Sequence, residues 1–144
     1  MKNKLTTILS VIFLLYSNAY SQNLDMHVKY YDPFTKTQLM EKYYTIPNSN
    51  KVQGEYKNWA SNGKLTTLTN YTNGIYNGIS KTFNKYNGKL ESEILYKNGK
   101  IITEKYYLKN IYILVERDKG FTVFENGVIT ESLKLKKGTE YKYT

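Results

Sequence analysis

Gly54-Glu55-Tyr56-Lys57-Asn58-Trp59-Ala60-Ser61-Asn62-Gly63-Lys64-Leu65-Thr66-Thr67-Leu68-Thr69-Asn70-Tyr71-Thr72-Asn73-Gly74 reads as a strand, an Asn-Gly turn, a second strand and a second Asn-Gly turn. Leu65, Thr67, Thr69 and Tyr71 alternate along one side of the second strand, since side chains two apart point the same way. Thr66 and Asn70 occupy the other side, with Leu68 as an exception. That is the half-buried alternation of an antiparallel strand. Asn-Gly favours the tight type I′ turn, because both central residues need positive φ and Gly accepts it without steric cost.

The same pattern recurs on both sides of this stretch. Six glycines follow an asparagine: Gly63, Gly74, Gly78, Gly88, Gly99 and Gly127. Gly63 and Gly74 are eleven residues apart, as are Gly88 and Gly99, and Gly127 and Gly138. Each interval holds one strand-like run. In the second, Leu90, Ser92, Ile94 and Tyr96 share a side; in the third, Ile129, Glu131, Leu133 and Leu135 do. Gly78 and Phe83 lead into Asn87-Gly88 as Gly54, Tyr56 and Trp59 lead into Asn62-Gly63, with one more residue in the later loop. The unit is about 24–25 residues long, in the range of repeat architectures. A degenerate copy runs from Tyr30 to Gly54, with Asp32-Pro33-Phe34-Thr35-Lys36 in place of the tight turn and Leu39 in the leucine position. Residues 100–119 are strand-like without the glycine marks and read as a diverged copy. No helical period follows Gln22.

The predicted fold is therefore all-β: antiparallel β-hairpin repeats stacked into an elongated, mostly single-layer sheet. A lone hairpin is marginal in water, so the repeats must bury one another's faces. The sixteen tyrosines, all but Tyr16 and Tyr20 lying beyond residue 22, suit that demand, because the ring covers apolar area while its hydroxyl stays wet.

Gly54 through Leu65, then Tyr71-Thr72-Asn73-Gly74, resembles a MORN-variant repeat. So does Asn77-Gly78 through Asn87-Gly88-Lys89-Leu90 to Tyr96-Lys97-Asn98-Gly99-Lys100. The likeness is clearest over about residues 52–100. Repeats of this variant occur in the YwqK-like antitoxin family. The resemblance implies stacked β-hairpins with binding or scaffolding roles and no established catalysis. Where the antitoxin label applies, it implies neutralisation of a partner toxin by contact.

The N-terminal segment sets the compartment. Lys2 and Lys4 precede an apolar run from Leu5 to Tyr16, and Ala19 and Ser21 offer small residues before Gln22. A basic start, a short apolar run and a small-x-small end describe a secretory signal peptide, residues 1–21. The run is short of the ~20 residues of a membrane-spanning helix. The mature chain, residues 22–144, has no second long apolar run, so an exported, periplasmic or secreted protein is expected. There is no cysteine, which excludes disulfides, thiol catalysis, thiolate metal sites and a lipid-modified N-terminal cysteine.

No residue pattern supplies an active site. His27 is the sole histidine and lacks a sequence partner for acid–base work. Glu91 and Glu93, two apart on a strand, read as a solvated face, and Glu116-Arg117-Asp118 as a charged loop. Neither a catalytic set, a cofactor nor a metal site is expected. The formal net charge is +9, which favours acidic partners such as an anionic envelope polymer; lysines near sheet edges also discourage unwanted strand pairing. Aromatic and basic residues interleave at Tyr56, Trp59, Lys81, Phe83, Tyr86, Tyr96 and Lys97, with Lys57 and Lys85 among them. These form the candidate binding face, although repeat packing alone calls for such aromatics. Stacking platforms for single-stranded nucleic acid have a similar composition, but export argues against that partner. The expected role is an exported, non-enzymatic binding or scaffold module. The alternative is an antitoxin- or immunity-like protein that neutralises a toxin. Self-association through an edge strand is open to either.

Overall fold

The computed structural model describes residues 23–134, so residues 1–21, which the sequence suggests are an export signal, lie outside the described residues together with Leu135 and Gly138. Eleven strands follow in chain order: β1 (Asp25–Tyr30), β2 (Leu39–Thr45), β3 (Gly54–Trp59), β4 (Leu65–Thr72), β5 (Ile75–Tyr76), β6 (Gly78–Phe83), β7 (Leu90–Lys97), β8 (Lys100–Leu108), β9 (Ile111–Glu116), β10 (Gly120–Glu125) and β11 (Val128–Lys134). They form one antiparallel sheet in the order β1-β2-β3-β4-β6-β7-β8-β9-β10-β11, with the two-residue β5 pairing back on β4. Leaving aside the short β5, each strand lies beside its neighbour in sequence, so the sheet is a meander of hairpins in a single layer, as the sequence predicts.

The repeats share a register. Tyr30 lies opposite Leu39, Trp59 opposite Leu65 and Phe83 opposite Leu90, and in each hairpin one extra residue then follows on the leucine strand. Those extra residues are Met40, Thr66 and Glu91, so the β-bulges recur at about the repeat length and the degenerate first copy is a true member of the series. A bulge bends the strand and increases its twist. It also breaks the simple alternation: Thr67, Thr69 and Tyr71 share a face, but Leu65 stands beyond the bulge. The diverged stretch after residue 100 supplies β8 and β9, whose register runs without a shift to the short turn between Leu108 and Ile111.

The Asn-Gly turns divide into three kinds, which corrects the expectation of a uniform type I′ turn. Asn73-Gly74, Asn98-Gly99 and Asn126-Gly127 have positive φ at both residues, as type I′ requires. At Asn62-Gly63 and Asn87-Gly88 only the glycine is positive. In the first of these, the Gly63 amide donates to the Ala60 carbonyl at 2.9 Å, closing a turn that runs into the bulge. Asn77-Gly78 is not a hairpin turn; it joins β5 to β6.

The turns also join neighbouring repeats. The Gly74 amide donates to Val52 O at 2.8 Å, and the Asn73 amide donates to Gln53 Oε1 at 2.9 Å. One repeat later, Gly99 donates to Tyr76 O at 2.8 Å and Asn98 to Asn77 Oδ1 at 3.2 Å. At the opposite end of the strands, Asn62 Nδ2 donates to Lys85 O at 2.9 Å. A type I′ turn leaves amides pointing outward, and here the preceding repeat receives them.

Among the described residues no hydrophobic side chain is fully buried; the buried residues are Thr45, Thr69 and Ser92. Each hydroxyl is paired across strands: Thr45 with His27 Nε2, Thr69 with Ser80 and Ser92 with Thr82, all at 2.8 Å. Thr69→Val keeps the shape but strands the Ser80 hydroxyl, and is expected to cost about 1–2 kcal/mol. The double change Thr69→Val/Ser80→Ala should recover part of that loss in urea unfolding. Equal stability of the single variant and wild type would show that the pair contributes nothing.

Candidate functional site

The two faces of the sheet carry different chemistry. One bears the buried hydroxyls and a continuous row of rings. His27 stacks on Tyr43 at 4.8 Å between centroids, Tyr43 meets Tyr56 at 5.8 Å, Tyr56 meets Tyr71 at 6.2 Å, Tyr71 meets Tyr76 at 4.8 Å, and Tyr76 stacks on Tyr96 at 4.9 Å. Six rings from β1, β2, β3, β4, β5 and β7 thus run unbroken over the part of the sheet from β1 to β7. They meet because cross-strand neighbours on one face lie within aromatic reach. Burial raises the phenol pKa of Tyr56, of Tyr71 (where Tyr76 adds to the effect) and of Tyr96 (where Tyr76 and Glu104 add to it). These groups remain neutral hydroxyls, able to donate and accept.

The opposite face carries a straight cross-strand row. Lys42 lies opposite Lys57, Lys57 opposite Leu68, Leu68 opposite Lys81, Lys81 opposite Glu93, and Glu93 opposite Lys105. Lys57 is paired with Glu55 at 2.7 Å and Lys81 with Glu93 at 2.8 Å. Lys105 Nζ sits 4.5 Å from the ring centroid of Tyr112 and 5.6 Å from that of Tyr107. Tyr107, Tyr112 and Phe124 form a second, shorter ring row on this side. A shallow, open groove lined by Asn23, Leu24, Tyr44, Gln53, Gly54 and Glu55 lies near β1; none of the sequence-predicted face residues lines it.

Glu93 is the electrostatic centre of the lysine face. Lys81 and the Tyr107 hydroxyl, 2.6 Å away, hold its carboxyl below the usual range. Burial and the bond to Glu93 push Tyr107 up to about 12. The depressed Glu93 pKa gives stability that is present above the ordinary glutamate value and lost as pH falls through the folded-state value. Tyr107→Phe is expected to move the Glu93 titration upward in carboxyl NMR, shifting the onset of acid unfolding to higher pH. An unchanged titration would remove Tyr107 from this account. Glu91 is separate: it accepts from Asn84 Nδ2 at 2.8 Å beside the bulge. Among the described residues no group of three or more His, Asp or Glu side chains could hold a metal ion. Glu116 pairs with Lys119, and Arg117 approaches Glu104.

The seven residues of the sequence-predicted face do not share one surface. Tyr56 lies opposite Thr69, which bonds Ser80, so Tyr56 and Ser80 share the tyrosine face. Tyr96 joins them, two residues beyond Ile94, which lies opposite Ser80. Lys81, the residue after Ser80, points to the lysine face. Lys97 flanks the Asn98-Gly99 turn, opposite Lys100. Trp59 and Phe83 take equivalent places at the bulged ends of β3 and β6. Tyr86 is 74 % exposed in the β6–β7 loop, with Lys85 Nζ 5.0 Å from its ring centroid. His27, Tyr43, Tyr71 and Tyr76 complete the ring row and were not predicted as face residues. Tyr71 and Tyr76 were legible as a pair, because a two-residue turn at Asn73-Gly74 sets them opposite each other. No such signal joins Tyr43 to Tyr56 across the loop between β2 and β3.

The row limits what the tyrosine face can do. His27 stacks on Tyr43 and Tyr76 on Tyr96 at 4.8 and 4.9 Å, while Tyr71 meets Tyr56 edge-on at 6.2 Å, so the ring faces along the row are partly occupied by their neighbours. What remains outward are ring edges and hydroxyls. Such a surface offers hydrogen bonds and modest apolar area to a flat partner rather than open platforms for stacking sugars or bases. No helix of the described residues is long and apolar enough to cross a membrane. Comparison with protein-family models, curated proteins and solved structures finds no match.

Proposed function

We propose that the protein is an exported, non-enzymatic binding or scaffold module of the cell envelope, built of MORN-variant hairpin repeats, that grips another protein through its tyrosine face. The observation that carries this reading is the unbroken row from His27 to Tyr96. It makes a flat, preorganised strip of ring edges and neutral hydroxyls. Tyrosine suits such surfaces because it combines apolar area with a polar tip and loses little rotamer freedom on binding. The recurrent bulges and turn-to-repeat hydrogen bonds support a rigid presentation of that strip.

The test is capture from envelope and secreted fractions with the exported chain as bait, washed at low and high salt. A triple variant, Tyr43→Phe/Tyr56→Phe/Tyr96→Phe, keeps the rings and removes three hydroxyls. One stoichiometric protein that survives high salt with wild type and is lost with the variant supports the reading. Its identity separates a scaffold partner from a toxin. Retention only at low salt, unaffected by the tyrosine changes and lost with Lys42→Gln/Lys105→Gln, would overturn it and transfer binding to an anionic polymer on the lysine face.

A further inference from the structure

β1 is an edge strand whose composition invites pairing. Gln53 N–H donates to Tyr44 O, so Tyr44 directs its backbone toward β3. Antiparallel strands alternate, so Tyr43 and Thr45 face β1, and their partners His27 and Asp25 face β2. Met26 and Val28 therefore turn their amides and carbonyls outward, and among the described residues nothing pairs with them. Their side chains are 59 % and 36 % exposed. An unpaired edge with exposed apolar side chains is a template for another strand. The far edge differs, since β11 is interrupted at Thr130 by a bulge between Glu131 and Ile129.

We propose that β1 pairs antiparallel with β1 of a second copy, in the register that sets His27 opposite the partner's His27. The outward amides select an even register, in which Met26 and Val28 form the hydrogen-bonded pairs with the partner's Val28 and Met26. The same register places Asp25 opposite the partner's Lys29, and Lys29 opposite the partner's Asp25. Sliding the pairing by two residues in either direction loses both ion pairs. Asp25 and Lys29 make no ion pair among the described residues, although Glu41 lies across from Lys29 on β2. These pairs fall at non-hydrogen-bonded positions, where facing side chains come closest. The two tyrosine faces then lie on the same side, and the two ring rows meet at the paired histidines. The symmetry is twofold and closed, so assembly stops at two copies. The inference is independent of the reading given under Proposed function.

Sedimentation equilibrium of the exported chain over a range of concentrations tests it. Wild type is expected to reach a dimer and grow no further. Asp25→Lys alone and Lys29→Asp alone each set like charges opposite at two sites and should weaken dimerisation about tenfold or more. The double exchange Asp25→Lys/Lys29→Asp should restore it, and a one-to-one mixture of the single variants should form a heterodimer. Val28→Pro removes an outward amide while sparing the β1–β2 bonds, and should abolish the dimer while melting at the same temperature as wild type at concentrations where wild type is monomeric. A monomer at every concentration, a dimer indifferent to charge reversal, or growth beyond two copies through β1 on β11 would each overturn the proposal.

Discussion

Gly120→Ala is expected to detach β11 from the sheet. Gly120 opens β10 with φ 125, outside the range of ordinary L-residues, and a Cβ there would run into the Leu133 carbonyl oxygen. A backbone carbonyl cannot rotate aside as a side chain can, so the pairing of Gly120 with Lys134 and of Phe121 with Leu133 must open. Strain and lost pairing together predict a cost of about 3 kcal/mol or more. Gly63→Ala is the control. Its φ is 79, but no atom lies within 4 Å of the Cβ position, so only the conformational cost of about 1–2 kcal/mol applies. Hydrogen exchange should show loss of protection across β11 in Gly120→Ala and near-native protection in Gly63→Ala. Equal effects of the two substitutions would mean that the close approach of β10 and β11 is not real.

Tyr71→Ala should have the next largest effect. Tyr71 joins the two halves of the ring row, touching Tyr56 on one side and Tyr76 on the other. Fully buried aromatic residues cost about 3–5 kcal/mol when truncated. Tyr71 is only half-buried, so about 2–3 kcal/mol is expected in urea unfolding. Tyr71→Phe keeps both ring contacts and should cost less than about 1 kcal/mol. A double-mutant cycle between Tyr71 and Tyr76 should give a coupling of about 0.5–1.5 kcal/mol. If Ala and Phe at position 71 proved equally stable, the row would be a surface feature without structural weight. In a sheet with no buried hydrophobic side chain among its described residues, such ring contacts and the three hydroxyl pairs must supply the packing that a core supplies elsewhere. The strand count adds to it, because each hairpin is stabilised by neighbours on both sides.

The limits of the sequence show at Asn62-Gly63 and Asn73-Gly74. The two dipeptides are identical, yet only the second has positive φ at both residues. The difference comes from context. Asn73-Gly74 closes directly onto Thr72 and Ile75, whereas Asn62-Gly63 belongs to a longer loop that feeds the bulge at Thr66. Leu39 shows the opposite case. Without any Asn-Gly mark, its position together with the turn-like Asp32-Pro33-Phe34-Thr35-Lys36 identified the first hairpin, and the structure places it opposite Tyr30 as Leu65 is placed opposite Trp59. The candidate face was legible only in its residue types. Tyr56 and Lys81 both belong to the interleaved pattern, but they stand on opposite sides of the sheet. A one-residue difference in parity or a single bulge moves a side chain from one face to the other.

By itself, the sequence determined the all-β class, the hairpin order, the repeat length and the position of the repeated leucines. These are local properties: alternation along a strand and glycine at turns need no knowledge of distant residues. Only the tertiary structure decided which face each aromatic residue joins, that Lys42, Lys57, Lys81 and Lys105 fall in one cross-strand row, and that His27 begins the ring row. Those facts depend on register between strands separated by loops of differing length. Register is set by the summed backbone pairing of the sheet, and no single segment of the chain encodes it.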